Sequence, residues 1–451
     1  MTDWVDVADF DPVGDGTADD AAAIQTAVEA VSPTGGLRFE PGARYHVSEP
    51  VEVPVETVRR IEGNNALLLV DGDYPALRLV GGKDDHGAAP RPPNQERKDR
   101  EFNTVVDNVQ CSSVDNAYLG TGIELFQTFA TRITGCHCTG LEDGIRLADI
   151  NRNPIIDGNH VYDNGRYGLF FDEVNLHQCN VYGNHISYHE IDVYVTGGNH
   201  ANYQLVGNCI ENGPQGGAER TQSIVTYDAD GPGELILVGN NVQDHGTCED
   251  ALVRLAGASR AIQVSGNYLS ISDNDGLIVE DTTGIVVANN VIDRIEGTAI
   301  TIGAHEETAG VTVQGNSIRK AGTAVRLSGD RFSSVSVADN AIDECGEGIV
   351  GGAAVDAMSI ADNTIGRHAG RAIDLEVGDV AGASVANNVV RYDTDGVSLE
   401  AAFHLGQAAP ASVMGNVIDG VGRLERGVEK RGWEASGNVI TGVSKEAANG
   451  E

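Results

Sequence analysis

An asparagine recurs along most of this chain at an interval too short for a domain and too regular for chance. It occupies positions 159, 184, 208, 240, 267, 290, 316, 340, 363, 388, 416 and 438, at a mean spacing close to 25 residues. Each stands in one pattern: an apolar residue, a spacer, Gly, Asp or Asn, then the Asn, a spacer, and usually Ile or Val. A second short segment of the form Gly-apolar-x-apolar follows in most repeats, as in Gly144-Ile145-Arg146-Leu147, Gly168-Leu169-Phe170-Phe171, Gly276-Leu277-Ile278-Val279 and Gly396-Val397-Ser398-Leu399. Apolar alternation of period two over three to five residues is strand, and too short for helix. A fixed period of this length marks one unit that buries its apolar face only by stacking on its neighbours. Coils stacked about 4.8 Å apart carry their inward Ile, Val and Leu as ladders. An Asn at a fixed corner can satisfy turn backbone groups and bond its equivalents above and below, so one buried polar residue is tolerated there. The pattern predicts an all-β chain, a right-handed parallel β-helix of roughly fourteen coils. A leucine-rich horseshoe is disfavoured, because its Leu-x-x-Leu-x-Leu signature is missing and no helical periodicity lies between the strands.

Two segments break the period. Residues 81–103 are charged and Pro-rich, and residues 213–233 hold two Gly/Pro-rich turns. Both read as excursions from the coil, either functional loops or neutral surface insertions. Residues 1–60 form a cap and the first strands, and 61–451 the helical array. In the cap, a helix over about 19–31 places Ile24, Ala27, Val28 and Val31 on one face, with Asp19 or Thr17 at its start and Pro33 and Gly35-Gly36 ending it. The first coil of a solenoid has an open core that such a helix covers.

The cap also carries a resemblance. Asp6-Val7-Ala8-Asp9-Phe10, Gly14-Asp15-Gly16-Thr17-Ala18-Asp19-Asp20, Ala23-Ile24-Gln25, Gly35-Gly36, Phe39 and Pro41-Gly42-Ala43-Arg44-Tyr45 resemble the start of the pectate-lyase-like superfamily over about fifty residues. The resemblance implies a right-handed β-helix, commonly a homotrimer, that binds or acts on polysaccharide, as in secreted glycan-degrading enzymes and viral tailspikes. Activity does not follow from the fold alone.

Charge narrows the setting. Asp and Glu number 67 against 30 Lys and Arg, a formal net charge of −37, and only Lys83, Lys98, Lys320, Lys430 and Lys445 are lysines. Such self-repulsion is screened in molar salt, where the Debye length is about 3 Å. The composition fits a halophilic source, an archaeon or one of its viruses. No basic stripe is available to neutralise phosphates, which argues against nucleic acid. No run of 18 apolar residues exists, so membrane insertion is not expected. The seven cysteines are scattered and odd in number, unlike a disulfide framework. The first residues show neither a basic nor an apolar leader region, so folding inside the cell is expected, with a virion as destination and the extracellular space as the alternative.

Aligning the coils on the Asn sets Glu124, Arg146, Phe170 and Tyr194 outward in one row, with Asp149, Asp172, Glu173 and Asp192 beside them. Exposed rings next to carboxylates suit sugars. Glycoside hydrolysis needs two carboxyls about 5–5.5 Å or about 6.5–9.5 Å apart, and Asp172 with Asp149 or Glu124 is the expected pair. Arg146, Phe170, Glu173, Asp192 and Tyr194 are the expected sugar contacts. A solvated acidic face is the competing reading. The motif set of the polygalacturonases is absent, as is a pectate-lyase calcium and Arg constellation. His137, His160 and His185 follow the Asn position on three successive coils, with Cys209 next. They form either a stacked surface ladder or a transition-metal site. No cofactor is required, although Asp-rich turns suit bound cations.

Three functions fit. The first is a virion spike or fibre protein that binds, and in one version trims, glycans of the host surface, held by other virion proteins. The second is a polysaccharide lyase or glycoside hydrolase of a halophile. The third is a non-catalytic adhesive solenoid.

Overall fold

The structure, a computed structural model, describes residues 3–82, 103–212, 223–229, 233–244, 248–257, 260–304, 308–375, 382–392, 399–407, 411–431 and 433–443. Most of the expected excursions at 81–103 and 213–233 lie outside the described residues, as does most of the strand at 396–399. The chain is an all-β parallel solenoid of about 14 turns. It divides into two compact units, Met1–Ile236 and Leu237–Glu451.

At the start, α1 (Ala21–Ala30) is the only α-helix among the described residues, and it buries Ala21, Ile24, Ala27 and Val28. Asp19 accepts a hydrogen bond from the Ala21 amide at 3.1 Å, while the N-cap position itself is held by Asp20, which makes no side-chain cap bond. The neighbouring Asp20 turns the other way. Its carboxylate accepts from the Val13 and Gly14 amides at 2.6 and 3.1 Å, and so ties the Gly-Asp-Gly turn to the helix start.

Successive coils repeat three short strands. In the first unit, Arg132–Thr134, His137–Thr139 and the strand beginning at Asp143 pair in parallel with Ile155–Asp157, His160–Tyr162 and the strand beginning at Tyr167. Inward residues stack on their own kind. In the second unit Val287, Val313, Val337, Ile360, Val385 and Val413 follow one another in register, and all are fully buried. Val, Ile and Leu fill most of the core, and rings such as Phe171, Tyr203 and Phe332 are also wholly buried in it.

The corner asparagines use every hydrogen-bonding group of their amides. Asn316 Oδ1 accepts from the Asn290 backbone amide at 3.0 Å and from Asn290 Nδ2 at 2.9 Å. Asn316 Nδ2 donates back to the Val287 carbonyl at 3.0 Å and forward to Asn340 Oδ1 at 2.9 Å. The same pattern links Asn159, Asn184 and Asn208 in the first unit. In the second it runs from Asn240 to Asn438. The residue before each Asn is left-handed: Gly183, Gly207, Gly266 and Gly315 have φ between 64° and 65°, and Asn289, Asp339, Asp362 and Asn387 have φ of 56° or 57°. Gly, Asn and Asp are the residues that tolerate this region, which explains the choice among them in the repeat. At residue 136 a cysteine takes the Asn place, and its amide still donates to Asn159 Oδ1 at 2.9 Å.

Replacing Asn316 with Ala strands the donors of Asn290 and the Val287 carbonyl, and should cost about 3 kcal/mol or more, since each buried unsatisfied group costs about 1–3 kcal/mol. Denaturant unfolding in molar salt measures it, and a loss below about 1 kcal/mol would mean the amide is not fully used. At Gly183 an added Cβ would meet nothing within 4 Å, so Gly183→Ala should cost only the backbone term, about 1 kcal/mol, and Gly183→Asn less.

Candidate functional site

Parallel register in the first unit brings the expected outward row together. Glu52, Arg78, Glu124, Arg146, Phe170 and Tyr194 are successive cross-strand partners. The row starts as alternating charges. Arg78 pairs with Glu52 at 3.2 Å and with Glu124 at 2.7 Å, and Arg146 pairs with Glu124 at 3.3 Å and with Asp172. Glu124 is only 5% exposed.

This geometry changes the expected roles of the carboxylates. Asp172 and Glu124 share one guanidinium, so each stands as an ion-pair partner of Arg146. Asp149 lies off the row. It sits where the strand register shifts, with φ of 61°, and its carboxylate accepts from Gln127 Nε2. Glu173, with φ of 44°, is likewise left-handed and exposed. Asp192, expected beside the groove, is fully buried. Its Oδ1 lies 2.6 Å from His189 Nδ1, while His189 Nε2 faces the Asn164 amide nitrogen at 3.1 Å. This is an interior polar network under the sheet.

Beyond Arg146 the row becomes aromatic. Tyr167 lies 4.5 Å from Phe170 and 4.9 Å from Tyr194 between ring centroids, and Phe170 and Tyr194 stack at 5.8 Å with an interplanar angle of 4°. Two guanidinium groups lie against the rings, Arg166 over Tyr167 at 4.8 Å and Phe170 at 5.5 Å, and Arg146 over Phe170 at 5.8 Å. Those contacts cover Phe170 to 7% exposure and leave Tyr167 and Tyr194 half-buried. Asp143, almost wholly buried, holds Arg166 through Nε at 2.9 Å.

The sequence reading missed a second column at this patch. Asp143, Tyr167 and Ile191 are register partners, so Glu142, Arg166 and Glu190 stand one residue before them. Arg166 also reaches Glu142 at 3.3 Å. Burial pushes the Glu142 carboxyl up; Arg166 pulls it back, and Asp143 and Asp73 push it up again. Burial also raises Glu190, opposed by Arg166, and pushes the Tyr167 phenol up to about 12. Carboxyls raised in this way are suited to general-acid work. Counting one place back from the aligned strands would have found them.

The histidines do align. His137, His160, His185 and Cys209 are successive partners, and the imidazoles stack with centroids 4.8 and 4.7 Å apart and planes within 9° and 18°. Burial lowers the pKa of His137, and of His160 together with its two histidine neighbours. The nitrogen lone pairs lie in the ring planes, so flat-stacked rings point them side by side and not at a shared ion. Of the two readings of this row, the geometry is that of the stacked ladder.

Because Asp192 is interior, Asp192→Ala should act on stability and not on the surface. It leaves His189 without its buried partner and should cost about 2–3 kcal/mol in denaturant unfolding. An unchanged stability would place Asp192 back at the surface.

The sequence matches the family model described as the right handed beta helix region over residues 99–210 and 275–435. No curated protein gives a significant sequence match. Among solved structures, the A-module of the mannuronan C-5 epimerase AlgE4 of Azotobacter vinelandii is 14% identical, with 83% of this chain and 96% of that one covered and a TM-score of 0.48. Tailspike protein 3 of bacteriophage CBA120 is 10% identical over 96% of this chain and 61% of its own, with a TM-score of 0.44. The family 28 exopolygalacturonase of Yersinia enterocolitica is 11% identical over 98% and 78%, with a TM-score of 0.36. The matched family segments take in more than half of the sequence and most of the asparagine corners, and the chain belongs to the right-handed β-helix family.

Proposed function

We propose that this protein is a polysaccharide-binding β-helix of the virion spike or fibre kind, working in high salt. The observation that carries the reading is the half-buried pair Tyr167 and Tyr194, backed by the covered Phe170 and flanked by Arg146 and Arg166. Ring faces stack on the apolar faces of sugars. Guanidinium groups bind sugar hydroxyls and carboxylates in a forked geometry, and they do so here on a chain whose net charge of −37 would otherwise repel an acidic glycan. Repeating coils give a repeating face, which suits a polymer better than a small ligand. The acidic, lysine-poor composition supports the halophilic setting. An exposed uncharged row in the second unit, Val291, Ser317, Ala341, Thr364, Val389, Val417 and Val439, supports assembly with further copies, a homotrimer in this reading.

One observation favours a hydrolytic version of the same site. Glu142 and Glu190 both have raised carboxyls and stand two coils apart, about 9–10 Å along the axis, near the upper end of the separation that inverting glycosidases use. In that version one donates a proton to the leaving oxygen while the other activates water.

Wild-type protein should retain host exopolysaccharide in molar salt, and Tyr167→Ala and Tyr194→Ala should each weaken binding by about tenfold, equal to about 1.4 kcal/mol. Full binding by both variants would remove the site, and failure of the wild type to bind any host glycan would remove the function and leave the adhesive or structural solenoid. Incubation with the same polysaccharide, assayed for new reducing ends and unsaturated uronates, separates binding from cleavage. If cleavage occurs, Glu142→Gln should abolish it with binding retained.

A further inference from the structure

Away from the aromatic patch, three side chains in the first unit converge in a way the histidine stack does not. His185 and Cys209 are direct cross-strand partners, and Ser187 pairs with Glu211. Glu211 follows Cys209 by two residues and therefore leaves the strand on the same side. A ring nitrogen of His185, Cys209 Sγ and a Glu211 carboxylate oxygen all lie within 4.8 Å of one another, and all three residues are partly exposed.

We propose that His185, Cys209 and Glu211 bind one divalent transition-metal ion of the zinc class. The donor set decides the class of ion. Imidazole, thiolate and carboxylate are zinc ligands, at about 2.0–2.3 Å, whereas calcium and magnesium take oxygen alone. Adjacent parallel strands already set the backbones of His185 and Cys209 side by side, which keeps the three atoms close enough to share one such ion. His160, stacked on His185 at 4.7 Å, holds that ring upright as its neighbour and is not a ligand. Three protein ligands leave a fourth tetrahedral position to water. The ion would clip two successive coils together and neutralise a thiolate and a carboxylate on an already acidic surface. Since the thiol must lose its proton to bind, affinity should rise with pH.

Cobalt(II) tests this on the full chain after chelator treatment, in molar salt. One equivalent should produce a thiolate-to-cobalt charge-transfer absorption with the visible bands of four-coordinate cobalt, and zinc should displace it. The other six cysteines are buried, so the charge-transfer band reports on Cys209. Cys209→Ser should remove the band, His185→Gln should weaken binding by at least about tenfold, and His160→Gln should leave the band in place. Absence of the band in the wild type, its survival in Cys209→Ser, or a loss in His160→Gln as complete as in His185→Gln would overturn the proposal. Glu211→Gln is an independent check should Cys209→Ser fold poorly. Weakened binding supports the site, and unchanged affinity counts against it.

Discussion

A buried primary amide with all of its donors and acceptors engaged is the constraint from which this structure follows. Taking an unpaired amide out of water costs several kcal/mol, so the interior of a coil tolerates one only where its partners recur at a fixed place. Stacked parallel coils provide that recurrence, because the Asn of one coil is itself the partner of the next. The arrangement is self-consistent only in one register. A slip of one residue would turn every side chain to the other face, carrying Asn316 away from Asn290 and Val313 out of the core. The asparagines therefore pin the register, while the Val and Ile ladders supply the burial.

Fixed register has a consequence at the surface. Any outward residue lies about 4.8 Å from its equivalents on the coils above and below, so like charges in one column repel. In the described rows the sign alternates: Glu52, Arg78, Glu124 and Arg146 in one, Glu142, Arg166 and Glu190 in another. Alternation lets an acidic chain build a long sheet face, and it also decides which carboxyls are chemically available. Glu124 is paired with Arg78 and Arg146, and Asp172 with Arg146. Glu142 and Glu190 share Arg166 with Asp143, and burial outweighs that shared charge.

How far the sequence could be read follows from the same geometry. Period and face were legible, because the Asn spacing and apolar alternation express register directly; the histidine row and the Glu124, Arg146, Phe170, Tyr194 row emerged from alignment alone. Partnership was not legible. Arg146 binding both Glu124 and Asp172 depends on side-chain reach between coils, which a column of letters does not contain. Asp192 went wrong for a more local reason. It fills the place that Gly144 and Gly168 fill in the preceding coils, where an added Cβ at Gly168 would approach the Asp192 carbonyl at 2.5 Å and His189 Cε1 at 2.8 Å. A polar residue in a glycine position marks an interior corner, and that cue was present in the repeat. Glu142 and Glu190 precede their strands and so fell outside the aligned pattern.

The central claim is that the corner amides are buried and fully bonded between coils. Hydrogen exchange of the asparagine side-chain amides, followed by NMR, addresses it most directly. The account predicts that the Nδ2 protons of Asn290, Asn316, Asn340 and Asn363 exchange as slowly as the backbone amides of the adjoining Val287, Val313 and Val337, opening only with the coil itself. Exchange at the rate of a free amide while those valines stay protected would contradict it.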